Sequence, residues 1–297
     1  IGSYKEFDDV SSSIQELQNC KNPSDPFALH KAALVACGVI PRQENISITD
    51  VTNSLGGGLY MNTRVINIPK GSGLGTSSIL AGACVKAINE AFGHKWCDEE
   101  LYERVLCMEQ LMSTGGGWQD QVGGISRGIK MAISKPGISQ EIKCTPLMID
   151  KDVYEELNSR FFVIYTGQRR LARNLLREVI TKYICNDKVS LEAHYAIQRL
   201  AVLMRFELEK GNIDGFAKLL NEHWLVSQKI DKGSTNTCID QIFMSIDDLI
   251  CGKMICGAGG GGFLQVVLKK GVTKETLRNR LMDIFQNSGV DVWESEF

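Results

Sequence analysis

Residues 68–83 read IPKGSGLGTSSILAGA: a proline, three glycines within five positions, three consecutive hydroxyl residues and then an apolar run. Glycine allows positive φ and lets a ligand approach the backbone, while the first turn of a helix leaves N–H groups unpaired beside a partial positive charge. Thr76 to Phe92 has helix-forming composition with Gly93 just past its end, and the preceding LYMNTRVINI (59–68) is rich in strand-favouring residues. The expected order is strand, glycine loop, helix. Such a junction suits a polyphosphate, with amides pointing at its oxygens. The hydroxyls of Thr76, Ser77 and Ser78 fit two jobs, capping the helix or reaching a Mg²⁺ that bridges phosphates. A simple capped turn is the alternative, and the density of glycines and hydroxyls favours phosphate.

Other phosphate binders fit less well. A Walker loop requires a lysine after its last glycine, whereas Lys70 precedes this loop. The H-R-D and D-F-G motifs of protein kinases are absent. GAGGGG at 257–262 formally matches G-x-G-x-x-G, but the following FLQVVLKK is strand-like where a dinucleotide site needs a helix.

The totals narrow the class. The chain has 297 residues, 43% hydrophobic and 23% charged, with a formal net charge of -2, which gives no basic stripe for nucleic acid. Ten cysteines are scattered without C-x-x-C spacing, and none of the four histidines falls near them in a ligand rhythm, so buried free thiols in a reducing compartment are expected. No apolar stretch reaches the length of a membrane span and no signal-peptide layout opens the chain. A cytoplasmic protein is the expectation, with small molecules as partners.

Around the opening stretch the sequence reads as an irregular polar start over 1–25, a helix over Pro26–Val39, and a helix capped by Asp98 with the apolar stripe Leu101, Val105, Met108, Leu111 and Met112. A second glycine cluster, STGGGWQDQVGG, covers 113–124. Short strands are expected at 128–133, 144–149 and 161–165, with a helix at 151–157 between the last two. From about 170 to 246 the pattern is helical. The third cluster, CGAGGGGFLQVVL (256–268), lies between strand-like runs, and a helix and a final strand close the chain. This is an α+β layout, with a boundary near 155 separating domains 1–155 and 156–297.

P-x-x-x-G-L-G-[ST]-S at Pro69–Ser77, together with GAGGGG at 257–262, resembles motifs two and three of the GHMP kinases. Within that superfamily, MEQLMSTGGGWQDQVGG (108–124) and VIYTGQRRLARNLL (163–176) are similar to the L-fucose kinase branch. The resemblance runs nearly end to end, and the combination is far more specific than any one motif. It implies a two-lobed fold, an incomplete N-terminal lobe because the family's first motif is not found, and a C-terminal lobe of helices and a small antiparallel sheet.

The same resemblance implies ATP and Mg²⁺ as cosubstrate and cofactor. The phosphate cradle would be Lys70, Gly71, Ser72, Gly73, Leu74, Gly75, Thr76, Ser77 and Ser78 with Gly259, Gly260 and Gly261. Ser77 and Glu109 would ligate the metal, Asp120 would be the catalytic acid/base, and Gly116, Gly117, Trp118 and Gln119 would lie near the sugar. Without the resemblance Glu109 is equally an exposed helix charge and Trp118 equally core, whereas Asp120, in a glycine-flanked loop, reads as a reacting group with a turn cap as the lesser alternative. Arg169, Arg170 and Arg173, at an expected helix start, read as a solvated basic face, with contact to a phosphate or an acidic substrate as the alternative.

The expected reaction is ATP-dependent phosphorylation of L-fucose at its anomeric hydroxyl. The rivals are a heptose-phosphate kinase of the same branch and a catalytically silent nucleotide-binding module. The absent first motif bears much of the sugar contact in this branch, so the chain reads as a fragment of a longer kinase.

Overall fold

The computed structural model describes residues 13–22, 24–42, 46–69, 71–113, 116–137, 140–168, 173–257 and 259–293, with backbone alone for 173–177. The chain forms two compact units. Unit 1 comprises Ile1–Asn67, Gly75–Ser126 and Ala132–Cys144; unit 2 comprises Ile68–Leu74, Arg127–Met131 and Thr145–Phe297.

Unit 1 is built on helices α1 (Ile14–Gln18), α2 (Ala28–Ala36), α3 (Ile48–Leu55), α4 (Thr76–Ala91), α5 (Asp98–Leu111) and α6 (Gln119–Ile125). Small apolar residues let α2, α4 and α5 pack closely: Ala32, Ala33, Ala81, Cys84, Val85, Ile88, Leu101, Val105 and Met108 form one buried cluster. A smaller one joins Tyr102, Val122 and Ile142, with Trp118 and Ile125 against it. Helix α5 starts one residue earlier than the Asp98 cap expected from sequence: Cys97 is the N-cap, and the Glu100 side chain accepts from its N–H at 2.9 Å. Strands β1 (Lys130–Ser134) and β2 (Ile142–Pro146) pair in a two-stranded sheet.

The expected strand over 59–68 is not one. Its described residues are extended without a ladder, and Leu59, Tyr60, Ile66 and Ile68 are exposed. Strand propensity expresses itself only against a paired neighbour.

Unit 2 centres on a four-stranded antiparallel sheet, order β4 (Ile250–Ile255), β5 (Phe263–Leu268), β3 (Phe161–Thr166), β6 (Val290–Trp293). Around it lie α7 (Lys151–Arg160), α8 (Arg173–Ile184), α9 (Lys188–Glu209), α10 (Ile213–Ile230), α11 (Thr237–Ser245) and α12 (Lys274–Phe285). Both sheet faces are covered, which explains why β3 reads FFVIYT instead of alternating with polar residues. Phe162 and Ile164 join Ile239, Ile242, Phe243, Leu277 and Leu281 on one face, while Phe161 joins Leu157, Ile213, Ala217 and Leu220 on the other.

Helix α10 lies directly on β4. A Cβ at Gly252 would sit 2.9 Å from the Ala217 Cα, and Asn221 bonds both the Cys251 carbonyl and the Lys253 N–H. The buried Arg160 guanidinium ties α7 to the sheet by donating to the Leu268 carbonyl at 2.9 Å, to Glu156 and to Asp214.

Candidate active site

The residues singled out by sequence fall into two groups, one within each unit. In unit 1, Gly75 is the N-cap of α4 at φ 64°, so no side chain caps this helix. The three hydroxyls that follow are therefore not caps, and the first turn offers amides of the kind an anion requires. Ser77 is exposed, whereas Ser78 is buried and donates to Glu109 Oε1 at 2.7 Å. The Ser78 side chain is committed to that carboxylate, leaving its backbone as the part able to face a phosphate.

Glu109 is only 4% exposed, not a solvated helix charge. Helix α5 packs against α2, α4 and α6 together, so more of its circumference is covered than one apolar stripe suggests. The turn after α5 completes the enclosure: a Cβ on Gly116 would lie 3.0 Å from Glu109 Oε2. Gly117 is likewise filled, by the Gln119 side chain.

Asp120 is the second residue of α6, not a loop residue. Its side chain lies against Gly75, where an added Cβ would come within 2.8 Å of the Asp120 Cβ and 2.9 Å of its Cγ. Asp120 as a whole is exposed, yet partial desolvation of its carboxylate by the surrounding protein, and then the nearby Glu109 charge, hold its pKa above the ordinary carboxylate value. Trp118, half-buried, packs against the cluster of Tyr102, Val122 and Ile142. Sequence reading passed over Gln121, which is fully buried; with its amide nitrogen turned toward them it donates to the Gly117 and Trp118 carbonyls at 3.0 and 3.2 Å. Its only sequence signal is a place in the glycine-rich run.

In unit 2 the entering half of the glycine loop docks on the turn between β4 and β5. The Ser72 carbonyl accepts from Phe263 N–H at 3.0 Å, and Ser72 is buried. A Cβ on Gly73 would lie 2.8 Å from the Cys256 carbonyl oxygen, and one on Gly257 would lie 2.7 Å from the Gly73 oxygen. Backbone meets backbone here, at positive φ at Gly73 (77°), Gly257 (64°) and Gly262 (81°), which only glycine adopts without strain. Gly71 is exposed and Leu74 half-buried. Lys70, Arg169 and Arg170 lie outside the described residues, as does the Arg173 side chain.

The residues suit Mg²⁺. Among the described residues no group of three or more His, Cys, Asp or Glu forms a ready-made metal cage. Mg²⁺ commonly takes one or two protein oxygens and completes its octahedron with phosphate and water. An enclosed Glu109 carboxylate beside the hydroxyl-bearing first turn of α4 is such a donor set.

Residues 47–128 match the family model described as the GHMP kinases N terminal domain. The chain belongs to the GHMP kinase family. It is 38% identical over 271 residues to the bifunctional fucokinase/GDP-fucose pyrophosphorylase of Arabidopsis thaliana, covering 90% of this chain and 25% of that protein. It is 33% identical over 264 residues to the L-fucokinase/L-fucose-1-P guanylyltransferase of Bacteroides fragilis, covering 88% and 28%. This GHMP kinase chain thus spans about a quarter of the length of these relatives. The fold matches the solved mevalonate kinase of Methanococcus jannaschii with a TM-score of 0.62 at 18% identity, over 94% of this chain and 78% of that one. No helix among the described residues is long and apolar enough to cross a membrane.

Proposed function

We propose that the chain is the phosphoryl-transfer part of an ATP-dependent, cytoplasmic sugar kinase that converts L-fucose and ATP to L-fucose 1-phosphate and ADP. The observation that carries this reading is the convergence within unit 1 of Asp120 on Gly75, at the start of α4, with Glu109 held by Ser78 one turn on. The names of the two relatives supply the sugar.

Phosphoryl transfer asks a protein mainly to position groups and neutralise charge. The amides at the start of α4 would bind the phosphate oxygens, and Ser77 and Glu109 would hold Mg²⁺, which when bound would supply positive charge to offset that of the phosphates. Asp120 orients the anomeric hydroxyl and takes its proton as the sugar oxygen bonds to the γ-phosphorus and ADP leaves. The raised pKa, from partial desolvation and then the Glu109 charge, makes Asp120 a stronger base than an ordinary aspartate.

The test is ADP release by purified protein with ATP, Mg²⁺ and, separately, L-fucose, D-arabinose, galactose, mannose and heptose phosphates. L-Fucose should give the highest kcat/KM. Turnover with heptose phosphate alone replaces the sugar assignment, and nucleotide binding without turnover of any sugar replaces the catalytic one.

A further inference from the structure

The turn between β4 and β5 is held by a segment 24 to 26 residues upstream that no sequence motif marked. Gly260 N–H donates to the Ser234 carbonyl at 2.6 Å, and the Gly260 carbonyl accepts from Asn236 Nδ2 at 3.0 Å. Both polar groups of Gly260 are thereby fixed by residues 234–236. Asn236 Nδ2 also reaches Gln168 Oε1 at 3.3 Å, while the Gln168 carbonyl accepts from Gly262 N–H at 2.9 Å. Thr166 closes the other side, its N–H and hydroxyl both donating to the Gly262 carbonyl at 2.9 Å. Contact is tight: a Cβ on Gly259 would lie 2.6 Å from the Ser234 Cα.

This bracing leaves a specific remainder. The N–H groups of Gly259 and Gly261, on either side of the clamped Gly260, have no hydrogen-bond partner among the described residues. Gly261 is buried, and so is the Ser234 hydroxyl, which has no partner either. Buried donors left unpaired cost free energy unless a ligand meets them, and backbone N–H groups gathered in a positive-φ turn suit an anion.

We infer that Asn236 is a positioning residue that holds Gly260 so that the flanking Gly259 and Gly261 amides face a nucleotide phosphate. This rests on the kinase reading above and deepens it. Asn236 has a second, separable job: its Oδ1 accepts from Ile239 N–H at 3.0 Å as the N-cap of α11. Aspartate caps as well as asparagine but cannot donate, so Asn236→Asp keeps the helix cap and removes both donor bonds.

The experiment compares wild type, Asn236→Asp and Asn236→Ser, a second capping residue with a shorter reach. Titration with a fluorescent N-methylanthraniloyl-ATP in Mg²⁺ should show Kd about tenfold higher in both variants, the scale of losing one to two hydrogen bonds. Hydrogen–deuterium exchange should quicken across 259–262 while the thermal midpoint stays near that of wild type. In turnover, KM for ATP should rise with kcat little changed. Wild type that binds and variants that bind equally, with unchanged exchange, would overturn the inference alone. Wild type that binds no nucleotide would overturn the proposed function, and this inference with it.

Discussion

Gly75 and Asp120 touch so closely that no side chain fits between them: a Cβ on Gly75 would stand 2.8 Å from the Asp120 Cβ. Gly75 also holds φ 64°. The glycine is therefore required twice, by the backbone it adopts and by the acid it faces, and the start of α4 and the acid on α6 are fixed as one arrangement.

Gly75→Ala consequently combines left-handed strain with a collision. The strain costs about 1–2 kcal/mol, and relief of the collision must move Asp120. Denaturant unfolding should show the stability loss, and turnover should fall further than stability explains. An active, fully stable alanine variant would mean that Asp120 does not need its present position.

Asp120→Asn should leave nucleotide affinity intact and lower kcat by about 10²–10⁴-fold, the range for removing a general base. Its effect on stability has the opposite sign. A carboxyl whose folded pKa is raised binds its proton more tightly in the native state, so stability falls as pH rises through that interval and stays lower above it. The asparagine variant should thus melt above wild type at pH 7.5, and the gain should disappear near and below pH of about 4. Thermal scans from pH 3.5 to 8 decide it.

Glu109→Gln can still accept from Ser78 through its amide oxygen, so the fold should survive. What it loses is charge. The Mg²⁺ concentration for half-maximal turnover should rise on the order of 10- to 100-fold, and Ser77→Ala should move it in the same direction. A metal titration superimposable on wild type would remove both residues from the metal site.

Arg160→Met tests the scaffold. Removing a guanidinium that serves Glu156, Asp214 and the Leu268 carbonyl at once strands that buried carbonyl and should cost about 1–3 kcal/mol. The arginine also holds the Asp214 carboxyl below its usual range, so part of its stabilisation is lost as pH drops through the lowered Asp214 pKa. A flat difference between variant and wild type from pH 7 to 3 would show that the ion pair contributes nothing.

Sequence made the glycine-bearing junctions legible because backbone requirements there admit one residue type. Strand β3 was equally plain, since a run buried on both faces leaves no polar alternation. Glu109 was not: a stripe-based reading of α5 assumes one covered face, and three neighbouring helices cover it. Helix α3 escaped notice because ITDVTNSL is short and rich in Thr and Asn, although the Ser47–Asp50 capping box was present to be read. Segment 59–68 failed in the other direction, its propensity real and its partner strand absent from the described residues. The bracing by Asn236 could not be read at all, because it joins three points distant in sequence.

At Gly252, finally, α10 rests on β4 with only the backbone and methyl group of Ala217 against the glycine. A methyl group placed there would work as a wedge, and the helix above it as a lever arm of roughly 20 Å at 1.5 Å per residue between Ala217 and Asp231. Because Ser234 and Asn236 follow closely on that arm and grip Gly260, an alanine at position 252 should disturb the glycine turn of 259–262, though the altered residue touches neither that turn nor Asn236.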